Sequence, residues 1–233
     1  MTELKQKLNL YMQEHQSSPM SDAVYEVLLD QIISYRISPG TKLLLSHLAA
    51  DFGTSMTPVR EALVNLESTG LICFNEGKKA TVIEYNEGVC RDLQELRYCL
   101  ESLGAVQACQ NASDQEIQEL VSQVEHNIDL FYSARENQRL EALHRLIIED
   151  LAFHRKLVRC SGNPLLIEQY ERVFPNILFA RQFFSPFDFS PVEFPEAHLA
   201  ITRALITRDV AYVRGAIHLH FQALDSAKRM SRQ

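Results

Sequence analysis

Four residues in the second half of the chain could share one metal ion: Asp150, His154, His198 and His220. Asp150 and His154 stand four apart in Glu-Asp-Leu-Ala-Phe-His, so on a helix both project from one face about one turn apart. His198 opens a later apolar-periodic segment, and His220 lies inside the last one. Three imidazoles and one carboxylate suit a divalent cation, zinc first, with nickel, manganese or iron as alternatives. The ligand count alone decides little, because the chain has eight histidines, and a single His more often lies on the surface or hydrogen-bonds in a core. His218 shows the hazard. It is two residues from His220, hence about 200° around a helix, and cannot share its face. His220 is preferred because Ala216, Ile217, Phe221 and Leu224 frame it within an inward-facing stripe.

The elements that must hold these groups read as helices throughout. A linker over 85–88 is followed by a long helix over 89–110, with Leu93, Leu96, Leu100, Leu103 and Val106 as its apolar positions. Ser113 and Glu116 form a capping-box signature that opens a helix running to about residue 131. Further helices are predicted over 140–160, 165–184, 193–207 and 209–230. The fourth of these six must accommodate Pro175 by a kink or a break. Between it and the fifth lies a segment rich in Pro and aromatics, where Phe183, Phe184, Phe187 and Phe189 are either packing or a lid. The second half is therefore an all-helical bundle of about six helices.

The first half has a different pattern. Leu48, Ala49 and Phe52 form the apolar stripe of a short helix, and Gly53 supplies a sharp turn. Ser55 or Thr57 can cap the next helix, and Pro58 is tolerated only in its first turn. Val59, Ala62, Leu63 and Leu66 recur at helical spacing, leaving Thr57, Arg60 and Asn65 on the other face. A helix over 23–35, with Val24, Val27, Leu28, Ile32 and Ile33 as its apolar stripe, precedes this pair. After Gly70, the segments 71–74 and 80–83 flank a Gly-containing turn with Lys78 and Lys79 near its tip, which reads as a hairpin. Three helices and a hairpin make a winged helix-turn-helix. Polar residues at the start of its third helix are what enters a DNA major groove, and a basic wing tip meets phosphates.

At this point the chain resembles a known family. Pro39-Gly40, Leu48-Ala49, Phe52-Gly53, Thr57-Pro-Val-Arg-Glu-Ala-Leu63 and Gly70-Leu71 follow the pattern of the N-terminal domain of GntR-type bacterial transcription regulators over 21–85. One departure is Met56, where the family usually carries an Arg that contacts DNA; its absence points to a different operator sequence. Residues 88–230 resemble the FCD ligand-binding domain of the FadR-like branch. The carrying residues are Leu96-Arg97 with Glu101, Asp150 and His154, Gly162-Asn-Pro-Leu-Leu166, His198 with Ile201 and Ala204-Leu205, Asp209 with Val213, and His220. The resemblance implies that Asp150, His154, His198 and His220 hold one divalent cation. It also implies that a small organic acid binds there and changes DNA affinity. Arg97 is the first candidate for the effector's carboxylate, with an ion pair to Glu101 as the alternative role, and Arg181 is the second. Ser55, Met56, Thr57, Arg60, Lys78 and Lys79 are the expected DNA contacts. One recognition helix per chain and a two-fold operator imply a homodimer on double-stranded DNA.

Composition sets limits around this reading. The net charge is −7, and residues 1–85 carry seven cations against ten anions, so DNA contact must come from local cations rather than a basic domain. No apolar run approaches the ~18 residues of a membrane helix, so no membrane partner is expected. Residues 1–20 lack a signal-peptide layout and carry Leu4, Leu8 and Met12 at helical spacing, which suits an amphipathic arm packed on the protein. Five cysteines without a C-x-x-C pair fit reduced thiols in a cytoplasm. Two competing functions are a purely structural metal and a metal-dependent hydrolase. A hydrolase also needs a positioned general base, and Glu149 points about 100° away from Asp150. A regulator, not an enzyme, is expected.

Overall fold

The computed structural model describes residues 2–75, 79–137, 140–183 and 194–230, without the side chains of 134–137, 140–144, 181–183, 194–196 and 224–230. The chain divides into two compact units, Met1–Cys90 and Arg91–Gln233.

The first unit holds α1 (Glu3–Glu14), α2 (Met20–Ile33), β1 (Lys42–Leu43), α3 (Leu45–Phe52), α4 (Met56–Ser68), β2 (Ile72–Asn75) and β3 (Lys79–Val82). Its core is built from the predicted stripes. Val24, Val27, Leu28 and Ile32 of α2 are buried with Leu48, Ala49 and Phe52 of α3 and with Val59, Ala62, Leu63 and Leu66 of α4. Each Val, Leu, Ile or Phe among them contributes about 1.5–3 kcal/mol on removal from water, before chain entropy is set against it. Gly53 ends α3 at φ +68 and turns the chain into α4, a conformation side chains with a Cβ rarely adopt. The strands form an antiparallel sheet in the order β1-β3-β2. The hairpin was legible in the sequence, whereas β1 was not. Its two residues, Lys42 and Leu43, pair with Thr81 and Ala80, and so short a strand has no periodicity to detect. The arm forms α1, with Leu8 buried and Leu4 and Met12 half-buried.

The second unit consists of α5 (Glu87–Asn111, beginning just before the division), α6 (Asp114–Asn137), α7 (Leu140–Arg159), α8 (Pro164–Phe183), α9 (Phe194–Thr207) and α10 (Val210–Met230). The helix α8 carries Pro175 in its interior and is assigned as one element. Ser113 opens α6 as a capping box. Its N–H and hydroxyl donate to Glu116 Oε2 at 2.8 and 2.7 Å, and the Glu116 N–H donates back to Ser113 Oγ. The main core joins α5, α6, α7, α9 and α10 through Ala105, Leu120, Phe153, Leu157, Ile201, Leu205, Val213 and Ile217. Gly104 lets α5 approach α7, since a Cβ there would lie 3.1 Å from the Val158 Cα. Leu96 and Leu103 are 41% and 47% exposed, so the apolar positions of α5 do not all face the core. The buried turn between them belongs instead to Arg97 and Glu101.

Candidate metal centre and recognition face

Asp150 and His154 project from α7, His198 from the first turns of α9 and His220 from α10. All four are buried, His154 completely. Their positions follow from the same stripes that build the core: Phe153 and Leu157 flank His154, Ile201 follows His198 by three, and Ile217 and Phe221 flank His220. The three imidazoles converge. His154 Nε2 lies 3.0 Å from His198 Nε2, and ring centroids are 4.9 Å apart for His154 and His220 and 4.6 Å for His198 and His220. One ligand nitrogen from each lies within 4.8 Å of the others. Asp150 stands at the edge of this cluster, its Oδ1 3.5 Å from His198 Nε2. Two imidazole nitrogens at about 2.0–2.1 Å from a common cation stand roughly 3 Å apart, so the donor set fits a divalent transition metal. His218, by contrast, is exposed and pairs its Nδ1 with the Tyr98 hydroxyl at 3.0 Å.

Behind the imidazoles lies a second layer. Glu101 Oε2 is 2.7 Å from His154 Nδ1. Glu101 Oε1 accepts from Arg97 Nε at 2.6 Å and from the Tyr170 hydroxyl at 2.7 Å. Both roles considered for Arg97 bear on this geometry. The ion pair with Glu101 uses only Nε, and Arg97 Nη1 and Nη2 have no hydrogen-bond partner among the described residues. Arg97 is 1% exposed and its guanidinium lies over the Phe221 ring at 5.1 Å. Burial acts to lower the Arg97 pKa, but Glu101 together with Tyr170 and Asp150 outweighs it, so the pKa is raised and the guanidinium stays charged. Burial, and then the Glu101 carboxylate, push the Tyr170 hydroxyl well above its usual range, so it remains a donor. Tyr170 is a residue of this candidate site that the sequence did not flag. It sits on α8, which carries no candidate metal ligand, and its hydrogen bond to Glu101 ties it to the centre. The side chains of Arg181, Phe183 and Leu224, and all of Phe184, Phe187 and Phe189, lie outside the described residues. Glu149 accepts from Gln123 Nε2 at 3.0 Å.

On the first unit, α4 presents Met56, Thr57, Arg60 and Asn65 to solvent while Val59, Ala62, Leu63 and Leu66 are buried. Ser55 occupies the N-cap position, exposed, and its side chain makes no capping bond. Lys79 is exposed at the start of β3, opposite Asn75. Lys78 lies outside the described residues. A short helix with an exposed polar start, set off by a glycine turn from the helix before it, is the geometry of major-groove recognition.

Comparison with known proteins bears on both units. Residues 20–82 match the family described as bacterial regulatory proteins, gntR family, and residues 92–223 match the FCD domain. The chain is 33% identical over 199 residues to the Nta operon transcriptional regulator of Aminobacter aminovorans, covering 82% of this chain and 88% of that protein. It is 27% identical over 232 residues to the transcriptional repressor NanR of Klebsiella aerogenes, covering 90% and 85%. Among solved structures it resembles McbR/YncC of E. coli with a TM-score of 0.73 over 93% of this chain and 100% of that one. At 22% sequence identity this last likeness is one of fold.

Proposed function

The chain belongs to the GntR family of bacterial transcriptional regulators, in the branch that carries an FCD domain, and we propose that it is a homodimeric operator-binding protein switched by a small carboxylate at a metal centre. It is a DNA-binding regulator and not an enzyme, as its families and relatives are. In this reading residues 1–20 are an arm, 21–85 the DNA-binding domain and 88–230 the effector domain. Ser55, Met56, Thr57 and Arg60 read the major groove, Lys78 and Lys79 meet phosphates, and the protein acts in the cytoplasm, where its operator is. No described helix is long and apolar enough to cross a membrane.

One observation carries the effector reading. Three buried imidazoles converge beside a buried guanidinium whose two terminal nitrogens lack partners among the described residues. Buried donors left unsatisfied are costly, and a carboxylate is the group that fills an Arg fork. Asp150, His154, His198 and His220 would hold the cation, zinc or else nickel, manganese or iron. The cation would supply Lewis acidity and a coordination position for a carboxylate oxygen. Arg97 would neutralise and orient that carboxylate, with Arg181 a second candidate. Glu101 holds Arg97 and stands against the outer nitrogen of His154, and Tyr170 fixes Glu101.

The test is a thermal-shift screen of small mono- and dicarboxylates on metal-loaded protein, repeated on Arg97→Met. A ligand that binds only the native state raises the melting temperature. Stabilisation by a carboxylate that disappears in Arg97→Met supports this reading. A metal-loaded protein indifferent to all such acids would leave the metal a structural staple.

A further inference from the structure

The gntR match begins at residue 20, and α1 lies ahead of it. We infer that α1 is part of the DNA interface and that Lys5 contacts a DNA phosphate beside α4. The inference rests on reading α4 as the recognition helix.

Several contacts pin α1 to the helix-turn-helix. Leu8 is buried, Lys7 Nζ pairs with Asp30 at 2.7 Å, and Arg36 Nη1 pairs with Glu3 at 2.9 Å. The Thr2 hydroxyl donates to the carbonyl of Asp51 near the end of α3. Lys5, between these tethers, lies along the turn. A Cβ built on Gly53 would be 3.1 and 3.0 Å from Cδ and Cε of Lys5 and 2.7 Å from its Nζ. The stem therefore covers Gly53, and the ammonium stands at the turn, two residues ahead of the Ser55 N-cap.

That place decides the partner. The N-terminal end of a recognition helix enters the groove, so the turn leading into it stands at the groove's edge, among phosphates. Lys7 and Arg36 are occupied by Asp30 and Glu3, whereas Lys5 forms no ion pair among the described residues. Each phosphate that such an unpaired cation neutralises releases counterions from the DNA. A competing role is local: the ammonium also faces the C-terminal end of α3, where carbonyl dipoles favour a cation.

The two roles separate in solution. Full-length protein is titrated by fluorescence anisotropy over a KCl series, against a duplex selected from a random library and an unselected duplex of equal length. Lys5→Met keeps the stem over Gly53 and removes the charge, and Lys5→Arg keeps the charge. Arg60→Ala reports on α4, and melting temperatures are read in parallel. We expect Lys5→Met to weaken both duplexes severalfold by the same factor and to reduce the salt slope by about one per protomer. Lys5→Arg should retain the slope. An unchanged slope in Lys5→Met overturns the inference, whether affinity is unchanged or falls with melting temperature, since Lys5 then only braces α3. If Arg60→Ala weakens the selected duplex in that case, the recognition helix stands without Lys5. If Arg60→Ala also changes nothing, the reading of α4 fails and Lys5 with it.

Discussion

Glu101 Oε2 lies 2.7 Å from His154 Nδ1, both groups fully buried, although the approach is not aligned as a linear hydrogen bond. A carboxylate at Nδ1 favours the proton on that nitrogen and so leaves the Nε2 lone pair facing His198 and His220. The same carboxylate holds Arg97 Nε at 2.6 Å. One residue on α5 thus touches a candidate metal-binding imidazole and a candidate effector-binding guanidinium together. Glu101→Gln should keep the size of the side chain and weaken metal binding by about 10–100-fold, the usual effect of losing an outer-layer partner. Competition with a chelator of known affinity measures it. Glu101→Ala should also lose about 3–5 kcal/mol of stability, because Arg97 is left as a buried charge without its partner.

Removing individual histidines tests the ligand set. His154→Ala and His220→Ala should each lose most of the bound metal, and chelation of the parent protein should lower its melting temperature, because the cation adds its binding energy to the folded state. His218→Ala should keep its metal. Its ring is exposed on another face of α10, against Tyr98. Elemental analysis of the three purified variants decides between them. Metal lost from the His218 variant and kept in the His220 variant would overturn the assignment.

The shared face of Asp150 and His154 was legible from their separation of four, and the inward place of His220 from the apolar residues around it. The choice of these residues among eight histidines came from the resemblance to the FCD domain. The apolar stripes of α2, α3 and α4 were legible because burial imposes a period of 3.6. Tyr170 and the two-residue β1 were not. A tyrosine among apolar residues looks like core packing until its hydroxyl is seen against Glu101, and Lys42–Leu43 is a strand only because β3 lies beside it. The exposure of Leu96 and Leu103 was hidden as well. Periodicity ranks the faces of α5 by hydrophobicity, whereas Arg97 and Glu101 lie buried with the Arg97 Nε bonded to the Glu101 carboxylate.

Recognition by α4 predicts a specific loss. Arg60 is exposed on α4 one turn after Met56, and Arg60→Ala should cost about 1–3 kcal/mol against a selected duplex if it reads a base edge. Lys78→Ala and Lys79→Ala should lower the salt slope with little change in sequence preference. Met56 is 50% exposed at the start of the same helix. A thioether can touch a thymine methyl but cannot donate two hydrogen bonds to guanine. Selection from a random library should therefore yield a site different from the family's usual one, and Met56→Arg should shift the preference toward it. Recovery of the usual site by the parent protein would count against Met56 as a reader.

The capping box of α6 gives a prediction with a pH signature. The backbone N–H and then the hydroxyl of Ser113 hold the Glu116 carboxyl below the usual carboxylate range. A carboxyl whose pKa is lower when folded adds stability above its unfolded pKa, about 4.3, and loses it as pH falls through the folded value. Ser113→Ala removes both the cap for the Glu116 N–H and the hydroxyl that donates to its carboxylate. At neutral pH it should cost on the order of 1 kcal/mol, the usual effect of losing such a cap. The difference from the parent should narrow below about pH 4, where protonated Glu116 no longer attracts the hydroxyl. It should not vanish, because the bond from the Glu116 N–H to Ser113 Oγ does not depend on that charge. Urea denaturation of both proteins across pH 3 to 7, followed on the transition of the helical unit, measures this. A difference independent of pH would assign the effect to the hydroxyl cap alone.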